Sequence, residues 1–192
     1  DLAFDPISEI KETEEVDEYV YDISVPGAER FIGGRSGLVL HNSAGSAHLR
    51  ELTTPDAVWL GVWASVTGDE PVIIEQNGMI RNQEIGRLYS RFSPGKSGPI
   101  MLQPSRGLNA LCCSPDGGVG VMPVNAMTKH AYDGDIFEIR TVGGFTVKTT
   151  ANHSVPKRLG RYSWRASKPR NSATFSGRNT TRQGCDETFT RF

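Results

Sequence analysis

At 192 residues and 21.0 kDa the chain suits one domain of ordinary size, or one domain plus a tail, and its 37% apolar share implies that a stretch stays outside the core. A formal net charge of −1 supplies no global field for nucleic acid or a membrane surface, and no apolar run approaches the ~18 residues of a membrane span. The three cysteines, two adjacent at positions 112 and 113, form neither a disulfide framework nor a zinc spacing, so a reducing, cytoplasmic setting is expected. Membrane span, collagen, coiled coil and disulfide scaffold are all disfavoured.

Residues 1–18 carry eight acidic side chains and a single Lys11, without the basic-then-apolar pattern of a secretory signal. Short β-branched runs at 19–25 and 38–40 then read as strands, the second followed at once by His41-Asn42-Ser43. Ala64 to Asp69 reads as a turn before a hairpin with arms 71–76 and 79–81, joined by Asn77-Gly78, the strongest hairpin dipeptide. One strand is predicted over 121–129. A second hairpin, 135–142 and 145–149 around Gly143-Gly144, is closed by Thr150-Ala-Asn-His153. No window carries a long helical period, so a compact all-β domain is expected.

From 157 to 182 there are eight Lys or Arg and no acidic residue. Three readings stay open for this run. It can be a solvated tail, a nucleic-acid patch short of interleaved aromatics, or the electrostatic partner of the acidic segment 1–18. Cys112 and Cys113 read as core thiols rather than a redox or metal feature. Trp59 and Trp63 read as an apolar cluster.

Taken singly, each polar group at a strand end has an ordinary reading: Asn42 as a loop cap, His153 as a structural histidine, Ser65 as a turn residue. Together they resemble the inteins, self-splicing domains of the Hint (hedgehog/intein) fold. Ser65-Val-Thr-Gly-Asp-Glu-Pro-Val-Ile-Ile-Glu-Gln-Asn-Gly78 resembles the N-terminal intein block, in the form seen in archaeal family-B DNA polymerases. Tyr132-Asp-Gly-Asp-Ile-Phe-Glu-Ile-Arg140 through Thr150-Ala-Asn-His-Ser-Val155 resembles the block carrying Thr-x-x-His. Val20-Tyr-Asp-Ile-Ser-Val-Pro-Gly27 with Phe31-Ile32, then Gly37-Leu-Val-Leu-His-Asn-Ser43, resemble the two C-terminal blocks. The family commonly places a His two residues before this Phe; here Glu29 stands there.

The blocks occur in inverted order. The C-terminal part (1–42) precedes the N-terminal part (65–168), and an intervening segment (43–64) lies between them. The resemblance implies a circularly permuted or split mini-intein without a homing endonuclease domain. Its fold is expected to be a horseshoe-like β domain formed jointly by 1–42 and 65–168, with 169–192 as a disordered or appended tail. The acidic start and basic end would be neighbours in the unpermuted order.

The implied chemistry is single-turnover autocatalysis, with no cofactor and no metal. Ser65 attacks the carbonyl of Ala64 in an N–O acyl shift. Thr150 holds the scissile unit and His153 supplies the proton, as an imidazole titrating near neutrality can. Ser43 takes over the acyl group by transesterification, a step the family coordinates with Asp22. Asn42 then cyclises with help from His41, and the product is a head-to-tail cyclic peptide of residues 43–64. The expected substrate is intramolecular, the chain's own 43–64 segment and its flanking bonds, in a monomer without membrane or nucleic-acid partners. The alternative is an inactive Hint-fold scaffold that displays residues 43–64 as a loop.

Overall fold

The computed structural model describes residues 5–14, 18–41, 65–103, 107–114, 118–151 and 153, with the backbone of 155–159 and 163–167. Expectations for Asn42, Ser43, the intervening segment and the 169–192 tail fall outside the described residues. The described chain is all-β, with one short helix. Its strands are β1 (Ile7–Glu12), β2 (Tyr19–Ser24), β3 (Arg30–Gly33), β4 (Leu38–His41), β5 (Val66–Thr67), β6 (Pro71–Gln76), β7 (Met79–Glu84) and β8 (Gly98–Met101). They continue with β9 (Leu108–Cys113), β10 (Val119–Pro123), β11 (Ala126–Ala131), β12 (Ile136–Thr141), β13 (Thr146–Thr150), β14 (Val155–Leu159) and β15 (Ser163–Ser167). The helix, α1, is Ile85–Phe92. No described helix is long and apolar enough to cross a membrane.

The first hairpin forms because Asn77 and Gly78 both take positive φ, +54° and +77°, as a two-residue turn matching the strand twist requires. Its partner hairpin, β12–β13, is closed by Thr141, which takes the N–H of Phe145 on its hydroxyl at 3.1 Å. The predicted strand over 121–129 proves to be two strands in different sheets. At the break, Val124 N–H binds Leu108 C=O (3.0 Å) and Asn125 N–H binds Ser24 C=O (3.0 Å), so the chain crosses from one sheet to the other there. Apolar periodicity runs through the crossing and conceals it.

Strands from widely separated parts of the sequence interleave. One sheet has the order β1-β12-β13-β5-β2-β11-β8; the second runs β10-β9-β3-β6-β7 with β4 beside β3; β14 and β15 form a third. At the edge strand β1, Glu9 lies opposite Arg140 and Lys11 opposite Glu138, so its charges alternate against their partners. Ile23, Phe31, Leu40, Ile74, Leu88 and Val147 belong to a single buried apolar cluster shared by the two large sheets and the helix. The helix turns Ile85, Leu88 and Tyr89 inward, at the i, i+3, i+4 spacing of one face, and Tyr89 meets Tyr21 edge to face at 5.9 Å. The thiols of Cys112 and Cys113 are buried.

Candidate functional site

β5 is two residues long and lies between β13 and β2, with Val66 opposite Thr149 on one side and Tyr21 on the other. One residue before it stands Ser65, fully buried. Its carbonyl accepts the N–H of Thr150 (2.9 Å), as a regular antiparallel ladder requires. The reciprocal bond is different. Ser65 N–H donates to the Thr150 hydroxyl at 3.1 Å, while the Thr150 carbonyl accepts from His153 N–H at 3.0 Å. The same hydroxyl lies 3.3 Å from the Ser65 carbonyl. Thr150 therefore brackets Ser65 from both sides, and His153, itself fully buried, is held by the carbonyl this substitution releases. Among the described residues, Ser65 Oγ has no hydrogen-bond partner. A buried hydroxyl that spends neither proton nor lone pair is costly as structure and useful as a nucleophile.

The register extends this arrangement. Tyr21 opposite Val66 brings Asp22 level with Ser65 one step on, and Asp22 in turn lies opposite Thr128 of β11. Thr150, Ser65, Asp22 and Thr128 thus form one buried polar row across four neighbouring strands. Asp22 Oδ1 accepts the N–H of Ile23 at 2.8 Å. Thr128, whose Oγ has no hydrogen-bond partner among the described residues, was not anticipated from sequence. Flanked by Met127 and Lys129, it carries no local signal; the strands packed against it bury it.

His41, buried, ends β4 opposite the equally buried Arg30. This segment is connected to β13 and to the strand that follows it. The turn between β3 and β4 is bonded to Thr146, by Arg35 N–H to Thr146 C=O (2.8 Å) and Thr146 N–H to Arg35 C=O (3.3 Å). β14, which follows His153, lies alongside β4. The structure brings Ser65, Thr150 and His153 into one hydrogen-bonded unit, aligns Asp22 with it, and seats His41 on the strand beside β14. Asn42 and Ser43, next in the chain after His41, lie outside the described residues.

Charge collects beneath the Ser65 turn. Asp69 accepts from the Thr67 hydroxyl (2.6 Å), lies 3.2 Å from Lys148 Nζ and 3.7 Å from Arg35. Burial pushes its carboxyl up, but the Thr67 hydroxyl and the Lys148 ammonium outweigh that and hold it below its ordinary value. Its neighbour Glu70 is 1% exposed, and burial pushes its carboxyl up to about 7. Sequence reading missed Glu70, because a Glu beside Pro71 ordinarily reads as a solvated turn residue.

No family model matches the chain. It is similar to a DNA polymerase of Thermococcus litoralis, at 27% identity over 184 residues covering 81% of this chain and 11% of the polymerase. It is also similar to the replication factor C small subunit of Methanocaldococcus jannaschii (28%, 71% of this chain, 7% of that protein). A third similarity is to the transcription initiation factor IIB of the same organism (46%, 47% of this chain, 14% of that protein). The chain therefore spans only a small fraction of each relative's length. The similarity to an archaeal DNA polymerase fits the resemblance to inteins.

Proposed function

We propose that the chain is a self-splicing domain in which Ser65 is the first nucleophile and the 43–64 segment is the substrate. The observation that carries this reading is the bracketing of Ser65 by Thr150, which holds the Ser65 amide nitrogen on a hydroxyl and leaves Oγ unspent in a buried site. The relatives support it independently. A polymerase, a replication factor subunit and a transcription initiation factor, different by name, each match over 7–14% of their length, as expected of an element inserted without regard to its host's work.

In the proposed sequence Ser65 Oγ attacks the Ala64 carbonyl, the C–N bond breaks, and the nitrogen takes a proton from His153, which the proton given up by Oγ replaces. Holding nucleophile and carbonyl in place supplies ~7–11 kcal/mol in favourable cases. Ser43 Oγ then displaces Ser65 Oγ from the ester, with Asp22 coordinating proton movement. The Asn42 side-chain nitrogen attacks its own main-chain carbonyl, with His41 assisting, and releases the Ser43 amine as a succinimide forms. An O–N shift onto that amine closes 43–64 head to tail. In this reading 1–42 and 65–168 form one domain and stay associated afterwards, in permuted order relative to the unsplit family.

Following the intact mass of freshly purified chain at neutral pH tests the reading. Splicing gives a peptide one water lighter than linear 43–64, together with two larger fragments. A linear 43–64 product overturns cyclisation alone. An unchanged 21.0 kDa species, in the chain and in its Asn42→Ala, Ser65→Ala variant alike, overturns splicing and leaves a scaffold displaying the loop.

A further inference from the structure

The ladder between β13 and the Ser65 segment ends abruptly, and a side chain takes over where it stops. Antiparallel register would bond the N–H of Lys148 to the carbonyl of Thr67, two residues along from the Thr150–Ser65 pair. Thr67 C=O is instead taken by the N–H of Glu70 at 3.1 Å, because the chain turns through Gly68 and Asp69. The turn is fixed by close packing, since a Cβ on Gly86 would come within 2.9 Å of the Gly68 carbonyl, and Gly86 N–H binds that carbonyl at 2.9 Å. Lys148 N–H would be orphaned by this turn. Glu70 Oε1 accepts it at 3.0 Å. A half-buried main-chain donor is thus satisfied by a carboxylate standing in for a strand carbonyl.

The result is a closed ring of contacts. Ser65 and Thr150 are bonded at one end, Glu70 and Lys148 at the other, with Val66 opposite Thr149 between them. Glu70 is tied further by its own carbonyl, which accepts the first N–H of α1 from Ile85 at 2.9 Å. Its second oxygen, Oε2, is buried and has no hydrogen-bond partner among the described residues. A group serving packing alone would not keep a carboxyl here, because an amide or an apolar side chain avoids the cost of a buried, half-satisfied acid.

We infer that Glu70 is a positioning residue for the Ser65 junction, acting through Lys148 to hold Thr149 and Thr150 in register against Ser65. The inference rests on the reading of Ser65 as the reacting residue and adds a control to that site. Ionised, Glu70 makes a charge-assisted bond to Lys148 N–H and tightens the ring; protonated, it is a weaker acceptor and the ring loosens. The charged groups that act on it are Asp69 on its own turn, Lys148 from β13 and Arg35 from the β3–β4 turn. Asp69 opposes ionisation and the two cations favour it, while burial brings the carboxyl to the neutral range. Formation of the Ser65 ester is then graded by pH through a residue that never touches the scissile bond.

The test uses the full chain carrying Asn42→Ala and Ser43→Ala, which isolates the first step. Hydroxylamine capture at the Ala64–Ser65 bond is measured from about pH 5.5 to 8.5, where a group of this kind titrates. Amide exchange at Lys148 and Thr150 is followed in parallel. Glu70→Ala is expected to lower protection at Lys148 and the capture rate by about tenfold each, the scale of one buried hydrogen bond. Glu70→Gln keeps a neutral acceptor and loses the proton, so its protection and rate should stay near those of the protonated parent at every pH, and its pH profile should lose one inflection near neutrality. Should Glu70→Ala fail to fold, Glu70→Gln alone decides, and an unchanged inflection overturns the inference. Reduced protection in Glu70→Ala with an unchanged capture rate overturns positioning while leaving splicing intact. A parent chain that is never captured at any pH overturns both.

Discussion

Arg35 and Thr146 exchange main-chain hydrogen bonds in both directions, at 2.8 and 3.3 Å, and so fasten the turn before β4 to the start of β13. His41 lies six residues after one partner and Thr150 four after the other, so this bridge sets the spacing between the two halves of the candidate site. Gly34 makes it sterically possible. Its φ is +73°, and a Cβ there would sit 2.9 Å from the Thr146 carbonyl. Gly34→Ala is expected to cost about 2–3 kcal/mol by combining backbone strain with overlap. It should also slow cleavage after Asn42 more than ester formation at Ser65. Urea midpoints and fragment masses measure the two effects, and a neutral Gly34→Ala sinks the bridge as a determinant.

Removing the Thr150 hydroxyl tests the bracket on Ser65 most directly. Thr150→Val keeps the shape and leaves Ser65 N–H without its acceptor, at a cost of roughly 1–3 kcal/mol, or ten- to a hundredfold in the first step. Thr150→Ser keeps the oxygen and should lose far less. Hydroxylamine capture rates compare the variants; equal rates for Val and Thr would show that the hydroxyl has no part in the reaction.

Glu70 also makes a prediction about stability. Its folded pKa of about 7 lies above the ordinary 4.5, so the native state holds the proton more tightly than the unfolded chain. The stabilisation from this group is fully present below about pH 4.5 and is lost as pH rises through about 7. The full shift corresponds to about 3 kcal/mol as an upper bound. Denaturant titrations of wild type and Glu70→Gln at several pH values isolate the contribution. The wild type should lose stability relative to the variant as pH climbs from the acid side, and parallel profiles would refute the assignment.

Glu29 takes φ +52°, a left-handed conformation that costs a non-glycine residue about 1 kcal/mol, while its N–H binds the Val25 carbonyl at 3.0 Å. Glu29→Gly keeps that bond and is expected to stabilise the chain by about 0.5–1 kcal/mol. A raised thermal midpoint confirms it; a lowered one means that the Glu29 side chain supplies more than the strain costs.

Burial pushes the Cys112 thiol up to about 12, from an ordinary 9.0. The thiolate fraction near pH 8 is therefore about a thousandfold below that of an exposed thiol. Iodoacetamide should leave Cys112 unlabelled in the native chain and modify it in urea. Native labelling at the denatured rate would place the thiol outside the core.

Much of this architecture can be read directly from the residues, and what escapes does so for definable reasons. The hairpins at 71–84 and 136–150 carry their turn chemistry in Asn77-Gly78 and Gly143-Gly144, so local sequence specifies them. Short-range pattern could not separate β10 from β11, because the sheet change at Val124-Asn125 is decided by partners at Leu108 and Ser24. The same holds for the site. Ser65 and Thr150 stand out as polar residues at strand ends. Glu70 and Thr128 matter only because the fold buries them, and burial is a property of the partners rather than of the local sequence.

The interleaved strand order also sets a timetable. β1 joins β12, β2 joins β11, and Ser65 meets Thr150 across a separation of 85 residues. Topologies dominated by such distant pairings close slowly, since each long loop must be ordered before its contacts reward it. The Ser65–Thr150 bracket is assembled only when those closures are complete. Under the proposed chemistry, a newly made chain keeps the bond before Ser65 quiet until those closures are made, and slow folding acts as the clock that releases it.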